Sequence, residues 1–254
     1  MTPLLSIRNL SVRFGGLVAV DDFSMDVEEG MIHALIGPNG AGKSTVFNCI
    51  SRFTTPNAGD VQFAGTSLLD RPQHAIVAAG IARTFQNIEL LQRLTVLENV
   101  LVGLSSRIAG YFPFVPSVWR SRAEREAVRQ ADAILELTGL SALRNACAGD
   151  LDFGHQKLLD LARALASKPR LLLLDEPAAG LRNREIAQVD ALLLELVRRG
   201  VTVVLVEHVM QLVMSVAHRI TVLSFGRKIA EGAPAHVRAD PHVIEAYLGR
   251  RSHA

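Results

Sequence analysis

Apolar residues along this chain follow two periods, one of two residues and one of 3.6. Phe23, Met25 and Val27 alternate with polar neighbours, which predicts a half-buried strand. After Glu28-Glu29-Gly30 the run MIHALI (residues 31–36) is almost continuously apolar, as a strand covered on both faces must be. LLLLDEP (residues 171–177) and VTVVLVEH (residues 201–208) repeat that texture. Helical spacing takes over at Val46, Phe47, Ile50 and Phe53, and again at Ile186, Val189, Leu193 and Leu196. In RAEREAVRQADAILELTG (residues 122–139) Ala127, Ala131, Ile134, Leu135 and Thr138 share one face, and Gly139 supplies a stop. Buried strands alternating with amphipathic helices predict an α/β fold around a parallel sheet, interrupted between about residues 89 and 156 by a helical insertion. VLSFGRKIAEG (residues 222–232) reads as a hairpin around Gly226, and Asp240-Pro241 caps and starts a short last helix.

The 254 residues suffice for one large α/β domain with its own core. Although 49% of the residues are hydrophobic, the uninterrupted apolar runs are far shorter than a bilayer requires. The start MTPLLSIRNLSVRF lacks a basic segment followed by a long apolar one, so a cytosolic fold is expected from Met1 onward. Cys49 and Cys147 are too few for a disulfide framework and lack metal-ligand spacing; both are expected to be buried small hydrophobes in a reducing compartment. A net charge of +2, with acids and bases balanced along the chain, leaves no footprint for nucleic acid.

The chemistry begins between a predicted strand and a predicted helix, at GPNGAGKS (residues 37–44). Glycines there let backbone N–H groups approach phosphate oxygens, Lys43 neutralises the β and γ phosphates, and Ser44 offers Mg²⁺ a hydroxyl. Asp175 and Glu176 follow a buried strand, at the end where α/β sheets bind their ligands. Asp175 suits the metal and Glu176 a water attacking the γ phosphate, although an acidic pair at such a place also serves as a helix cap. His208 at another strand end and Gln86 in ARTFQN are unremarkable singly. Their order is the signal: glycine loop, Gln86, the segment around Gly154, Asp175-Glu176, His208.

In that order the chain resembles the ATP-binding subunits of ABC transporters over essentially its whole length. GPNGAGKST resembles the Walker A motif, LDFGHQ the signature motif, LLLLDE the Walker B motif and AAGL the D-loop, while Gln86 and His208 match the Q-loop glutamine and the switch histidine. The resemblance implies a P-loop NTPase (RecA-like) core with an antiparallel β subdomain, formed by residues 1–88 and 158–254, and an inserted α-helical subdomain at 89–157 ending in the signature. It implies ATP and Mg²⁺ as ligands, with Glu176, His208 and Gln86 catalytic and Ser44, Gln86 and Asp175 around the metal. Nucleotide contacts would come from Phe14, which matches an adenine-stacking aromatic, from Gly37, Pro38, Asn39, Gly40, Ala41, Gly42, Lys43, Ser44 and Thr45, and from Asp152, Gly154, His155 and Gln156. In the family two such chains sandwich two ATP molecules head to tail.

FGGLVAVDDFSMDVEEGMIHALIGPNGAGKSTVFN, GIARTFQNIELLQRLTVLENVLVG and DEPAAGL are similar to the branched-chain amino acid uptake subfamily, in particular to the longer of its two ATPases; urea, amide and aromatic-acid importers share much of that pattern. The implied partners are a second, paralogous ATP-binding subunit, two membrane permeases and an external solute-binding protein, at the cytoplasmic face of the membrane. A soluble ABC ATPase of translation or DNA maintenance is the rival reading, against which stand one phosphate loop and no sustained heptads. A nucleotide-binding subunit that scarcely hydrolyses is another, opposed by Glu176 and His208. A GTPase would need an NKxD motif, which is missing.

LDFGHQ departs from the family's signature at Asp152, Phe153 and His155, and of these Asp152 stays open, as do Arg182 and an aromatic cluster. Asp152 stands where the family has a serine whose hydroxyl meets the partner chain's γ phosphate. A carboxylate about 4 Å from a phosphate charge costs on the order of 1–4 kcal/mol, whereas as a helix N-cap it contributes about 1 kcal/mol. Arg182, after AAGL, replaces a small polar or acidic residue. Tyr111, Phe112, Phe114 and Trp119 crowd together in a chain only 5% aromatic, as either a satellite core or a partner surface.

Overall fold

The computed structural model describes residues 2–84, 88–105 and 122–248. Gln86 and the Tyr111 to Trp119 cluster lie outside the described residues. Two sheets organise the chain. Strands β1 (Leu5–Phe14), β2 (Leu17–Val27), β4 (Ala58–Phe63) and β5 (Thr66–Ser67) form an antiparallel sheet in the order β2-β1-β4-β5. Strands β3 (Ile32–Ile36), β6 (Ile81–Arg83), β7 (Leu171–Asp175), β8 (Thr202–Val206), β9 (Arg219–Ser224) and β10 (Arg227–Gly232) form a second sheet in the order β10-β9-β3-β8-β7-β6, parallel except for the β9–β10 hairpin.

The continuous apolar runs are explained by what covers each face. Leu171 and Leu173 of β7, with Val204 and Val206 of β8, pack into one core with the antiparallel sheet and with helix α1 (Lys43–Ile50). Leu172, Leu174, Val203 and Leu205 point the other way, onto α6 (Asn183–Arg198) and α7 (Met210–Val216). Each of these side chains is fully buried, worth roughly 1.5–3 kcal/mol apiece against exposure. The predicted stripe Ile186, Val189, Leu193 and Leu196 is the buried face of α6.

A third core lies between α3 (Val96–Ser105), α4 (Arg122–Leu137) and α5 (Phe153–Ala166). Ala127, Ala131 and Leu135 of α4 are buried there, and Gly139, at φ 75°, ends the run as expected. Helix α5 faces two cores at once, with Leu159, Ala162 and Ala166 in the helical cluster and Leu161 and Leu165 against the sheet. The short helices α2 (Ala75–Ala79), α8 (Pro234–Ala239) and α9 (Pro241–Leu248) complete the chain, and Asp240 Oδ1 accepts from the His242 N–H at 2.8 Å to start α9.

Two expectations need correction. Phe53 does not continue the buried face of α1. The helix ends at Ile50, Ser51 Oγ donates back to Phe47 O at 2.7 Å, Arg52 takes φ 62°, and Phe53 emerges 51% exposed. Cys147 is exposed, because its extended backbone bridges to Thr95 while Ala148 takes the inward position; Cys49 is buried as anticipated, and burial pushes its thiol up to about 11.

Candidate functional site: a phosphate loop and the acids beside it

Parallel pairing sets the ends of four neighbouring strands side by side. Leu35 of β3 and Asp175 of β7 both stand opposite Val206 of β8, so the loops leaving these strands converge on one edge. From β3 departs the phosphate loop, from β7 Asp175-Glu176, from β8 Glu207-His208, and from β6 the segment leading to Gln86.

The loop is shaped by backbone contacts that exclude side chains. A Cβ on Gly37 would lie 2.0 Å from Leu223 O, and one on Gly42 2.4 Å from Ala19 O. Gly40 and Gly42 also hold φ 77° and 105°, conformations that L side chains rarely adopt. Gly42 then caps α1, whose first turn has no side-chain cap and presents its N–H groups, the electropositive end of the helix, to an anion. Lys43 is buried and donates to Gly37 O at 2.8 Å and Pro38 O at 3.0 Å. Burial pulls its ammonium below the usual lysine range, while Glu176 and Asp175 pull it back.

One open cleft of about 570 Å³, the size of a nucleotide-scale pocket, brings together Phe14, Asn39, Gly40, Ala41, Gly42, Lys43, Ser44, Thr45, Glu176 and His208. Phe14 is half exposed at its rim, next to Leu17 and Val18. His208 Nε2 lies 3.2 Å from Glu176 Oε2, and Glu176 itself takes φ 52°, a conformation held by its N–H donating to Val206 O at 2.9 Å. Pro38 is reached through its carbonyl rather than as a wall of the cleft.

Asp175 is buried and, unlike Glu176, does not line this cleft. Arg83 Nη2 meets its Oδ2 at 3.1 Å, and the same guanidinium donates to Asn48 Oδ1 at 2.8 Å and Ser51 Oγ at 3.2 Å. Burial lifts the Asp175 carboxyl above the usual carboxylate range against the pull of Arg83, and Glu176 adds to the lift. Among the described residues no three His, Cys, Asp or Glu side chains form a metal cage. Ser44 lines the cleft and Asp175 lies near enough for its charge to act on Lys43, a hydroxyl and a carboxylate of the oxygen-donor kind that Mg²⁺ takes.

The signature residues occupy another face. Asp152 is the N-cap of α5, with Oδ1 accepting from the His155 N–H at 2.9 Å and lying 2.8 Å from its ring Nδ1. That backbone bond holds the Asp152 carboxyl below its usual range. Asp152, Gly154 and His155 line a crevice with Leu181 and Glu185, apart from the cleft around Lys43, and Gln156 turns its amide back to Leu151 O at 3.0 Å. Arg182 does not pair with Asp152 among the described ion pairs. It is exposed, and its N–H donates to Glu185 Oε2 at 2.7 Å at the start of α6.

Two cations beside the cleft were missed in the sequence. Arg83 was a lone cation in a short apolar strand, which is its signal. Lys157, one turn into α5, donates to Glu176 O at 2.7 Å and ties α5 to the backbone of the acid in the cleft. No periodicity points to a bond of that kind.

A glycine loop at a strand's carboxyl end, with a buried lysine and an acid and histidine across one cleft, defines a P-loop nucleoside triphosphatase. The chain belongs to the ABC transporter family, whose model matches residues 20–179, and residues 227–253 match the model described as branched-chain amino acid ATP-binding cassette transporter. It is 43% identical over 253 residues to the high-affinity branched-chain amino acid transport ATP-binding protein BraF of Pseudomonas aeruginosa, covering 97% of this chain and 98% of that one. Among solved structures it is similar to the ADP conformation of MJ1267, an ATP-binding cassette of an ABC transporter, with TM-score 0.86, 33% identity and coverage of 98% and 100%. It is also similar to a dimeric post-hydrolysis state of the cassette MJ0796 bound to ADP and Pi, with TM-score 0.78, 26% identity and coverage of 91% and 98%.

Proposed function

We propose that this chain is the ATP-hydrolysing subunit of an ABC importer that takes up branched-chain amino acids or a related small polar solute. The observation that carries the reading is the single cleft in which Phe14, the loop of Lys43 and Ser44, Glu176 and His208 meet. The near full-length similarity to BraF narrows it to the branched-chain class.

Phe14 stacks on the adenine, and the backbone of residues 37–45 with Lys43 takes the phosphates. Ser44 and Asp175, together with Gln86 as the family resemblance implies, would hold Mg²⁺, which would supply positive charge against the phosphate oxygens. Glu176 orients a water and takes its proton as the water oxygen attacks the γ phosphorus and the bond to the ADP oxygen breaks. His208, whose Nε2 lies 3.2 Å from Glu176 Oε2, fixes that carboxylate and meets the γ phosphate. Asp152, Gly154, His155 and Gln156 serve the nucleotide of a second, paralogous ATP-binding subunit, which their separation from the cleft around Lys43 supports. Residues 89–157 form the helical subdomain that faces two membrane permeases, fed by an external solute-binding protein, while residues 1–88 and 158–254 form the core. The similarity to transport ATP-binding proteins supports a peripheral place on the cytoplasmic face of the inner membrane; no described helix is long and apolar enough to cross a membrane.

Replacing Glu176 with glutamine tests the chemistry. Hydrolysis falls at least 100-fold while ATP binding persists; a variant that still turns over near the parental rate removes Glu176 from the catalytic role.

A further inference from the structure

Glu207 was passed over in the sequence as the residue between an apolar strand and the switch histidine. It is 1% exposed, and among the described residues no lysine, arginine or histidine forms an ion pair with it. A carboxylate taken that far from water is retained only where strong hydrogen bonds replace its hydration. Two do. Oε1 accepts from the Ala178 N–H at 2.9 Å, and Oε2 accepts from the N–H of His208 at 2.9 Å. Lys157, held at the carbonyl of Glu176, lies near enough for the Glu207 charge to act on it.

The two amides belong to different strands' loops. Ala178 opens the AAGL loop two residues after Glu176, and His208 begins the loop after β8. Each lies past the end of its strand, where no ladder partner holds it. The single carboxylate therefore joins them into one unit, across the same edge on which Glu176 and His208 approach to 3.2 Å. An apolar or shorter residue at 207 strands the buried Ala178 N–H, frees the part-buried His208 N–H and lets the loops shift separately.

We infer that Glu207 is a positioning residue for hydrolysis, coupling the AAGL loop to the switch histidine so that His208 and Glu176 keep their register when the AAGL loop moves. Glu207 does not line the cleft around Lys43. Its effect reaches the reaction through the backbone of His208 and of Ala178. The inference rests on the hydrolytic reading of Glu176 and His208, so Glu176→Gln is carried as the control.

The test is Glu207→Gln in the full chain. The amide keeps the shape but turns one acceptor into a donor facing an N–H. The expected result is a kcat for ATP hydrolysis lowered 10- to 100-fold, with KM for ATP within twofold and the thermal midpoint within a few degrees. His208→Ala added to Glu207→Gln then costs less than threefold more. A kcat within twofold of the parent overturns the inference, and so does a loss of kcat that comes with an equal loss of ATP affinity and a large drop in thermal midpoint. If Glu176→Gln itself hydrolyses normally, the hydrolytic reading fails instead. A second measurement needs no change at 207: in the Glu176→Gln chain the amide hydrogens of Ala178 and His208 exchange at similarly slow rates and shift together on adding Mg·ATP. A difference of 100-fold between them, or a shift of one without the other, also overturns the coupling.

Discussion

His33 lies in the middle of β3, fully buried, with Nε2 2.8 Å from Thr221 Oγ1. Burial pulls its pKa from 6.5 to about 4; Glu231 pulls upward, and Arg219 and Lys228 downward. In the unfolded chain the same ring takes its proton near pH 6.5. Between those values the unfolded state binds more protons than the folded one, so stability is complete above pH 6.5 and falls as the pH drops toward 4. At pH 5 the loss from this residue is about 2 kcal/mol, at 1.36 kcal/mol per unit. Urea unfolding of His33→Gln, whose amide keeps a partner for Thr221, is expected to lose that much less between pH 7 and 5 than the parent. Parallel curves would clear His33 of the effect.

Among elements, the phosphate loop is the one that local sequence specifies most completely, and the reason is steric. Gly42 sits at φ 105° against Ala19 O, so Gly42→Ala puts a Cβ within 2.4 Å of a backbone oxygen that cannot swing aside. The strained conformation alone costs on the order of 1–3 kcal/mol. We expect a lower thermal midpoint and a loss of at least 100-fold in ATP affinity by titration, while Gly16→Ala, with nothing within 4 Å of its Cβ, changes neither. Strands β3, β7 and β8 were equally legible, because burial on both faces demands an uninterrupted apolar run. What surrounds them was not. The pairing of β1 with β4, Leu5 opposite Phe63, joins segments far apart in the chain, and alternation within a strand carries no information about its neighbour. Arg83, Lys157 and Glu207 escaped for a related reason: the first answers a carboxylate 92 positions away, and the other two are engaged by backbone groups, which every residue has.

At the scale of the whole molecule, this chain carries two separate concavities, the cleft around Lys43 and the crevice at the start of α5, which the proposed function reads as halves of two sites. On the proposed head-to-tail arrangement the second half completes a partner's site, and there the acid at 152 matters. Its carboxylate is 64% exposed and is engaged by the His155 N–H and ring, so much of its charge is screened before any phosphate approaches. The penalty at about 4 Å then belongs at the solvent end of the range, about 1 kcal/mol, or roughly fivefold in affinity. Asp152→Ser separates this from the helix cap, because serine and aspartate cap about equally well and α5 keeps its stability. In the assembled complex the serine variant is expected to bind ATP about fivefold more tightly at one of two sites, with an unchanged thermal midpoint. Asp152→Ala also removes the charge but loses about 1 kcal/mol of capping, so its midpoint falls. If binding at both sites is indifferent to either substitution, the start of α5 is a cap alone, and the asymmetry between the two sites disappears with it.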